Sequence, residues 1–239
     1  NIVTMGCSKN LVDSEYLLAH LKKNGFEVFH DHTDPTDVVI VNTCGFIHDA
    51  KEESIDTILE FSTLKKRGDI KALLIMGCLS QRYRQELASE IQEADAVFGV
   101  DEMPDIIDFL GKTFDEQLFP GRKVTTGHYA YLKIAEGCNR RCSFCAIPFI
   151  RGPHVSSDPE SIIREASWLI GTGIKELLLI SQDLSYYGID LQKKTMLPEL
   201  LKSLSDLDDS IWIRLHYAYP ADFPSDILTD MRERQNICR

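Results

Sequence analysis

The chain has 239 residues, 44% of them hydrophobic and 26% charged, a composition that fits a globular protein of one large or two modest domains. No apolar stretch approaches the roughly 20 residues of a membrane span, and nothing at the start resembles a secretory signal, so a cytoplasmic protein without a membrane anchor is expected. The net charge of −11 is uneven: up to Arg122 there are 22 acids against 12 bases, and beyond it 15 against 14. So acidic a first half repels a nucleic-acid backbone and attracts a basic protein, which excludes strong nucleic-acid binding by this portion.

From the first residue to about 111, short apolar runs alternate with amphipathic helical patterns. Strands are expected over 2–5, 38–41, 72–76 and 96–98, with helices over 12–23, 49–65, 81–91 and 104–110. Strand followed by helix, repeated, indicates βαβ units and a mainly parallel sheet covered on both faces. The reading is therefore α/β, with a doubly wound, flavodoxin-like domain over 1–111. Residues 112–127 carry little periodicity and include Pro120-Gly121, and are read as a linker. The second domain, 128–239, opens with an alternating strand over 129–134. Helices over 159–170 and 197–204 are interleaved with strands over 176–181 and 212–216, and a last helix starts near Pro224. This is the opening of a (β/α) barrel, whose sites lie at the carboxyl ends of its strands. Three strands do not close a barrel, so the domain is expected to be truncated.

In a reducing compartment seven cysteines point to metal binding rather than to disulfides. Six fall into two sets of three. Cys138, Cys142 and Cys145 follow the first barrel strand with C-x-x-x-C-x-x-C spacing. Three thiolates and no fourth leave one iron of a [4Fe–4S] cluster open to a substrate or cofactor. Cys7, Cys44 and Cys78 are spread over gaps of 37 and 34 residues, each about one βαβ unit, and each follows an expected strand of the first domain. In open α/β sheets ligands bind beyond the carboxyl ends of the strands, so three thiols from three such ends meet there. The alternatives are three small apolar cysteines or a zinc site, which ordinarily takes four protein ligands. Cys238 is unassigned.

The tight triad, with Phe144 before its last cysteine and a strand before its first, resembles the radical S-adenosylmethionine (SAM) superfamily. Together with Gly-Cys-Ser-Lys-Asn-Leu-Val-Asp-Ser-Glu at 6–15, Asn-Thr-Cys-Gly-Phe-Ile at 42–47 and Met-Gly-Cys-Leu-Ser-Gln-Arg-Tyr at 76–83, it is similar to the methylthiotransferases of that superfamily. Among these it is most similar to the type that modifies an aspartate of a small-subunit ribosomal protein. The tRNA-modifying relatives read Gly-Cys-Gln-Met-Asn at the first cysteine, where this chain has Cys7-Ser8-Lys9-Asn10. The resemblance implies two [4Fe–4S] clusters, one on each triad, and SAM on the open iron of the second. Reductive cleavage of SAM then gives a 5′-deoxyadenosyl radical, and the first cluster holds the sulfur that becomes a methylthio group.

The resemblance also implies an electron donor such as flavodoxin or ferredoxin, and a cofactor site to which Phe144, Gln182 and Asp183 contribute. Gln182 and Asp183 end the second barrel strand, where a cap on the next turn is the alternative. Lys9 and Asn10 either orient the sulfur or bind loop backbone. One departure is that Val155-Ser156-Ser157-Asp158 lacks the Ser-Arg usual there. Two other functions stay open on the residues alone: methylthiolation of an adenosine in tRNA, and a two-cluster electron-transfer or sensor protein.

Overall fold

A computed structural model describes residues 1–33, 36–115, 127–220 and 223–238. The chain divides into two compact units, 1–124 and 125–239. Most of the linker expected over 112–127 falls in 116–126, outside the described residues.

In the first unit β1 (Ile2–Thr4), β2 (Val38–Thr43), β3 (Ala72–Gly77) and β4 (Ala96–Val97) form a parallel sheet in that order. The chain leaving α1 (Ser8–Lys23) adds a further position on the other side of β1. There Ile2 bridges His30 in parallel, the Ile2 N–H donating to the Phe29 carbonyl at 3.0 Å. Counting that segment, the spatial order is second, first, third, fourth, fifth, the flavodoxin-like doubly wound order, whose switch point lies between β1 and β2.

The register explains the two cores. Ile2, Ile40, Leu74 and Ala96 stand side by side across the strands, as do Val3, Val41, Ile75 and Val97 one residue on. Because side chains alternate between faces, the first row packs with Leu17, Leu18, Ile106 and Ile107 of α1 and α5 (Met103–Phe109). The second packs with Ile58, Leu79 and Leu87 of α2 (His48–Arg67), α3 (Cys78–Arg82) and α4 (Arg84–Glu90). Each such full burial of a leucine or isoleucine contributes about 2 kcal/mol.

Two helices differ from the sequence pattern. The first begins at Ser8 rather than 12, because Lys9, Asn10, Asp13, Ser14 and Glu15 are polar but buried and so leave no apolar signature. The helix expected over 81–91 is two helices, broken at Tyr83, whose φ of −128° and ψ of 38° leave the helical region.

In the second unit β5 (Tyr129–Lys133) leads into an antiparallel ribbon of β6 (Ala135–Glu136) and β7 (Val155–Ser156). The ribbon closes the cysteine loop and its short α6 (Ile147–Ile150). After α7 (Pro159–Gly171), β8 (Glu176–Ile180) pairs in parallel with β5. After α8 (Ile189–Gln192) and α9 (Leu197–Ser205), β9 (Trp212–Leu215) pairs with β8. Following α10 (Asp226–Glu233), a fourth parallel position starts: Ile213 bridges Ile237, and Cys238 N–H donates to the Ile213 carbonyl at 2.8 Å. Cys238 is thus a buried residue of that segment.

Ala130, Leu132, Leu177, Leu179 and Ile213 face the helices and form one core with Leu169, Leu201 and Ile227. The opposite face carries Tyr129, Tyr131, Glu176 and Arg214, with an Arg214–Glu176 ion pair at 2.6 Å. One strand face against helices and the other lining an interior is the arrangement of a (β/α) barrel.

Candidate metal centres

The rows of the first sheet turn polar toward their carboxyl ends, where Thr4, Asn42 and Thr43 replace apolar residues. Cys7, Cys44 and Cys78 follow directly, at the ends of β1, β2 and β3. Cys7 is exposed, and Cys44 and Cys78 are buried. Gly6 has a φ of +88°, and a Cβ there would lie 2.8 Å from Cys44 Sγ, so only glycine lets the first loop settle against the second. The second and third loops are as close, since a Cβ on Gly45 would lie 2.8 Å from the Cys78 carbonyl oxygen.

Mainly neutral side chains brace these loops, with one long bond from Arg82 to the Gly45 carbonyl at 3.4 Å besides. Ser54 of α2 accepts from Cys44 N–H at 2.9 Å and donates to the Cys44 carbonyl at 3.2 Å. Thr43 Oγ1 donates to the Met76 carbonyl at 2.6 Å. Asn10, wholly buried, donates to the carbonyls of Met5 and Thr43 and accepts from Cys78 Sγ at 3.6 Å. Asn10 therefore binds loop backbone, one of the two roles left open by sequence, and touches a cysteine as well.

The second triad sits in one loop. Gly137 has a φ of +72°, and a Cβ on it would lie 2.0 Å from the Pro153 carbonyl oxygen, so glycine is required for the two limbs of the loop to close. Cys138 N–H then donates to the Gly152 carbonyl at 3.1 Å, and Cys145 N–H to the Cys142 carbonyl at 3.1 Å. Burial pushes the Cys138 thiol above its ordinary value; the Arg140 N–H, 3.4 Å from the sulfur, opposes that, and Asp183 with the thiols of Cys145 and Cys142 adds to it.

Ion pairs tie this loop to the strands. The Arg140 guanidinium lies between the rings of Tyr186 and Tyr219, 4.6 and 4.2 Å from their centroids, and donates to Asp183 at 2.8 Å. The other oxygen of Asp183 accepts from Ser185 N–H at 3.0 Å, so this side chain caps the turn after β8 and holds the cysteine loop together. Glu136 accepts from Lys133 at 2.8 Å, from Arg151 at 3.0 Å and from Gln182. Burial alone would raise its carboxyl, but the charges of Lys133 and Arg151, with the bonds from Lys133 and Gln182, hold it down at about 2.

Of the other residues singled out by sequence, Gln182 joins this network and Phe144 stands 88% exposed beside Cys145, outside the core. Sequence reasoning missed Arg140, Glu136, Tyr186 and Tyr219. Arg140 lies inside the cysteine motif, but its partners are more than 40 residues away, and no local pattern links them.

The donor chemistry suits clusters. Each triad offers three free thiols. Among the described residues no three His, Cys, Asp or Glu side chains form a group that could hold a metal ion, and a cluster takes each of its thiolates on a separate iron. Among the described residues Ser181 Oγ and Gln182 Oε1, at the end of β8, are buried without a hydrogen-bond partner, as is Ser8 Oγ beside Cys7. Such atoms fit a polar ligand at both sites.

Residues 1–99 match the uncharacterized protein family UPF0004, and residues 132–233 match the radical SAM superfamily. The whole chain is 53% identical to the ribosomal protein uS12 methylthiotransferase RimO of Bacteroides thetaiotaomicron and 52% identical to that of Cytophaga hutchinsonii. In both cases it spans 55% of the relative's length. Among solved structures, the fold matches the radical S-adenosylmethionine methyltransferase TsrM from Kitasatospora setae with a TM-score of 0.63 at 12% identity. That match covers 99% of this chain and 57% of that one. It also matches the cobalamin-dependent S-adenosylmethionine radical enzyme OxsB at 0.56 and 10% identity, over 89% of this chain and 38% of that one. The chain carries a UPF0004 domain followed by a radical SAM domain, and over its whole length it is similar to curated uS12 methylthiotransferases.

Proposed function

We propose that this chain works in an enzyme that transfers a methylthio group to the β carbon of an aspartate in a small-subunit ribosomal protein. The observation that carries the proposal is the identity of 53% over the entire chain with a uS12 methylthiotransferase. The radical SAM domain brings SAM and one [4Fe–4S] cluster, and Cys138, Cys142 and Cys145 are the proposed ligands. A second cluster on Cys7, Cys44 and Cys78 is the finer part of the proposal. When bound, the cluster and SAM of the second triad supply a 5′-deoxyadenosyl radical, and the first triad's cluster supplies a place for the transferred sulfur.

Radical chemistry is needed because the aspartate β C–H is far too weak an acid for any side chain tuned by several pKa units. The chain's own residues bind and orient. Three thiols per site would hold a cluster with one iron left open; Asp183 and Arg140 hold the second loop at the end of β8. There Ser181 and Gln182 offer unsatisfied polar atoms that would suit SAM. The acidic first half raises the encounter rate with a basic ribosomal protein, an attraction that salt weakens. A low-potential donor such as flavodoxin or ferredoxin would supply the electron, and the cytoplasm is the compartment that holds all these partners. Among the described residues no helix is long and apolar enough to cross a membrane.

The test is mass spectrometry of ribosomal proteins and tRNA from cells lacking the protein. Loss of a methylthio-aspartate, with tRNA unchanged, is expected. Loss of a methylthio-adenosine with the ribosomal protein unaffected would replace the substrate and leave the superfamily assignment standing.

A further inference from the structure

Asn10 sits where the three cysteine loops of the first unit meet. Its amide nitrogen donates to the carbonyl of Met5, two residues before Cys7, and to that of Thr43, immediately before Cys44, both at 2.9 Å. Its amide oxygen accepts from Cys78 Sγ at 3.6 Å. One amide group thus reaches all three loops with both of its donor hydrogens and its acceptor. The residue is fixed from behind: Asn42 Nδ2 donates to the Asn10 carbonyl at 2.8 Å and to Ser14 Oγ at 2.9 Å, and Ser14 Oγ is in turn bonded to Thr4 Oγ1 at 2.7 Å. Burial removes water as a substitute partner for the two carbonyls.

We infer that Asn10 is the positioning residue of the Cys7, Cys44 and Cys78 triad, setting the mutual placement of three loops that share no other covalent or sequence neighbourhood. This rests on the proposed cluster at that triad. The bond from the thiol is the weak one and is lost when Cys78 ligates iron as a thiolate. The two carbonyls keep their donors in either state, so the placement survives loading. Shape alone does not suffice for this role: aspartate is nearly isosteric, but it faces both carbonyl oxygens with an acceptor where asparagine has donors.

The test uses the whole chain with Cys138→Ala, Cys142→Ala and Cys145→Ala, so that ferrous iron and sulfide report on the first triad alone. Adding Asn10→Asp should weaken iron retention against a chelator about ten- to a hundredfold, as loss of outer-shell partners typically does. In the iron-free chain it should speed iodoacetamide alkylation of Cys44 and Cys78 roughly tenfold, leaving Cys238 and hydrogen exchange in β2 and β3 unchanged. Should exchange in β2 and β3 show that this variant is unfolded, Asn10→Ser, smaller and with one donor kept, is judged by the same two measures. Iron retention and alkylation equal to those of the parent would overturn the inference. A parent that takes up no iron at all would sink the cluster reading, and the inference with it, before any variant is compared.

Discussion

The two units solve one problem in opposite ways. The first draws its cysteines from three strand ends at least 34 residues apart and braces them mainly with the uncharged Asn10, Thr43 and Ser54, Arg82 adding one long bond to the Gly45 carbonyl. The second takes three cysteines from eight consecutive residues and braces them with Arg140–Asp183 and the Glu136, Lys133 and Arg151 group. A distributed site inherits its rigidity from the sheet, so short neutral bonds are enough to set its loops. A local loop has no strand within it and is held by ties to β6 and β8, and buried ion pairs make firm ties at high cost if one partner is lost. The comparison predicts that damage to the second site stays in the second unit and is larger.

Gly137→Ala should do most. Its Cβ would meet the Pro153 carbonyl oxygen, a backbone atom that no rotamer change moves, at a positive φ as well. A loss above about 4 kcal/mol is expected, visible as fast hydrogen exchange in β6 and β7 with β2 and β3 still protected. Asp183→Asn comes next. It puts a neutral amide where a carboxylate faces the partly buried Arg140 guanidinium at 2.8 Å, at a cost of about 3 kcal/mol, read from denaturant unfolding of the second unit. Ser54→Ala strips Cys44 N–H of its acceptor and should cost about 1–2 kcal/mol in the first unit only. If Ser54→Ala proved as damaging as Asp183→Asn, the contrast between neutral and charged bracing would fail.

Much of this was legible in sequence because the informative signals were local. Apolar runs marked β1 to β5, β8 and β9, and the tight triad declared itself by spacing. The first triad was legible only through the fold, each cysteine falling one βαβ unit after the last. What stayed hidden depends on pairs far apart or on buried polarity. Arg140 and Asp183 are 43 residues apart, and the bonds by which Asn10 reaches Thr43 and Cys78 span 33 and 68 residues. The segment ending at His30 that completes the flavodoxin-like order makes a single bridge; Phe26 and Val28, which alternate with Glu27 and pack on the core, are a legible signal of it that the expected strands omit.

The smallest expected effect is common to both units and bounds the comparison. Burial holds His20 and His154 below the ordinary imidazole value, against the opposing pull of Asp115 and Asp190 respectively. Folded, both take up a proton only at a lower pH than when unfolded, where they do so below about pH 6.5. Stability is therefore full above that pH and declines as pH falls toward the depressed folded values. Thermal unfolding between pH 7.5 and 5.5 should show a modest decline in each unit, and a decline confined to one would mean that the other histidine is not held below its ordinary value.

The central claim is that the chain carries two separate three-thiol cluster sites, and iron and sulfide counts after anaerobic reconstitution test it most directly. The intact chain should hold about eight irons, and the variant with Cys138, Cys142 and Cys145 all changed to alanine about four, with matching sulfide. Zinc at full occupancy in either site, or an intact chain that holds only four irons, would contradict it.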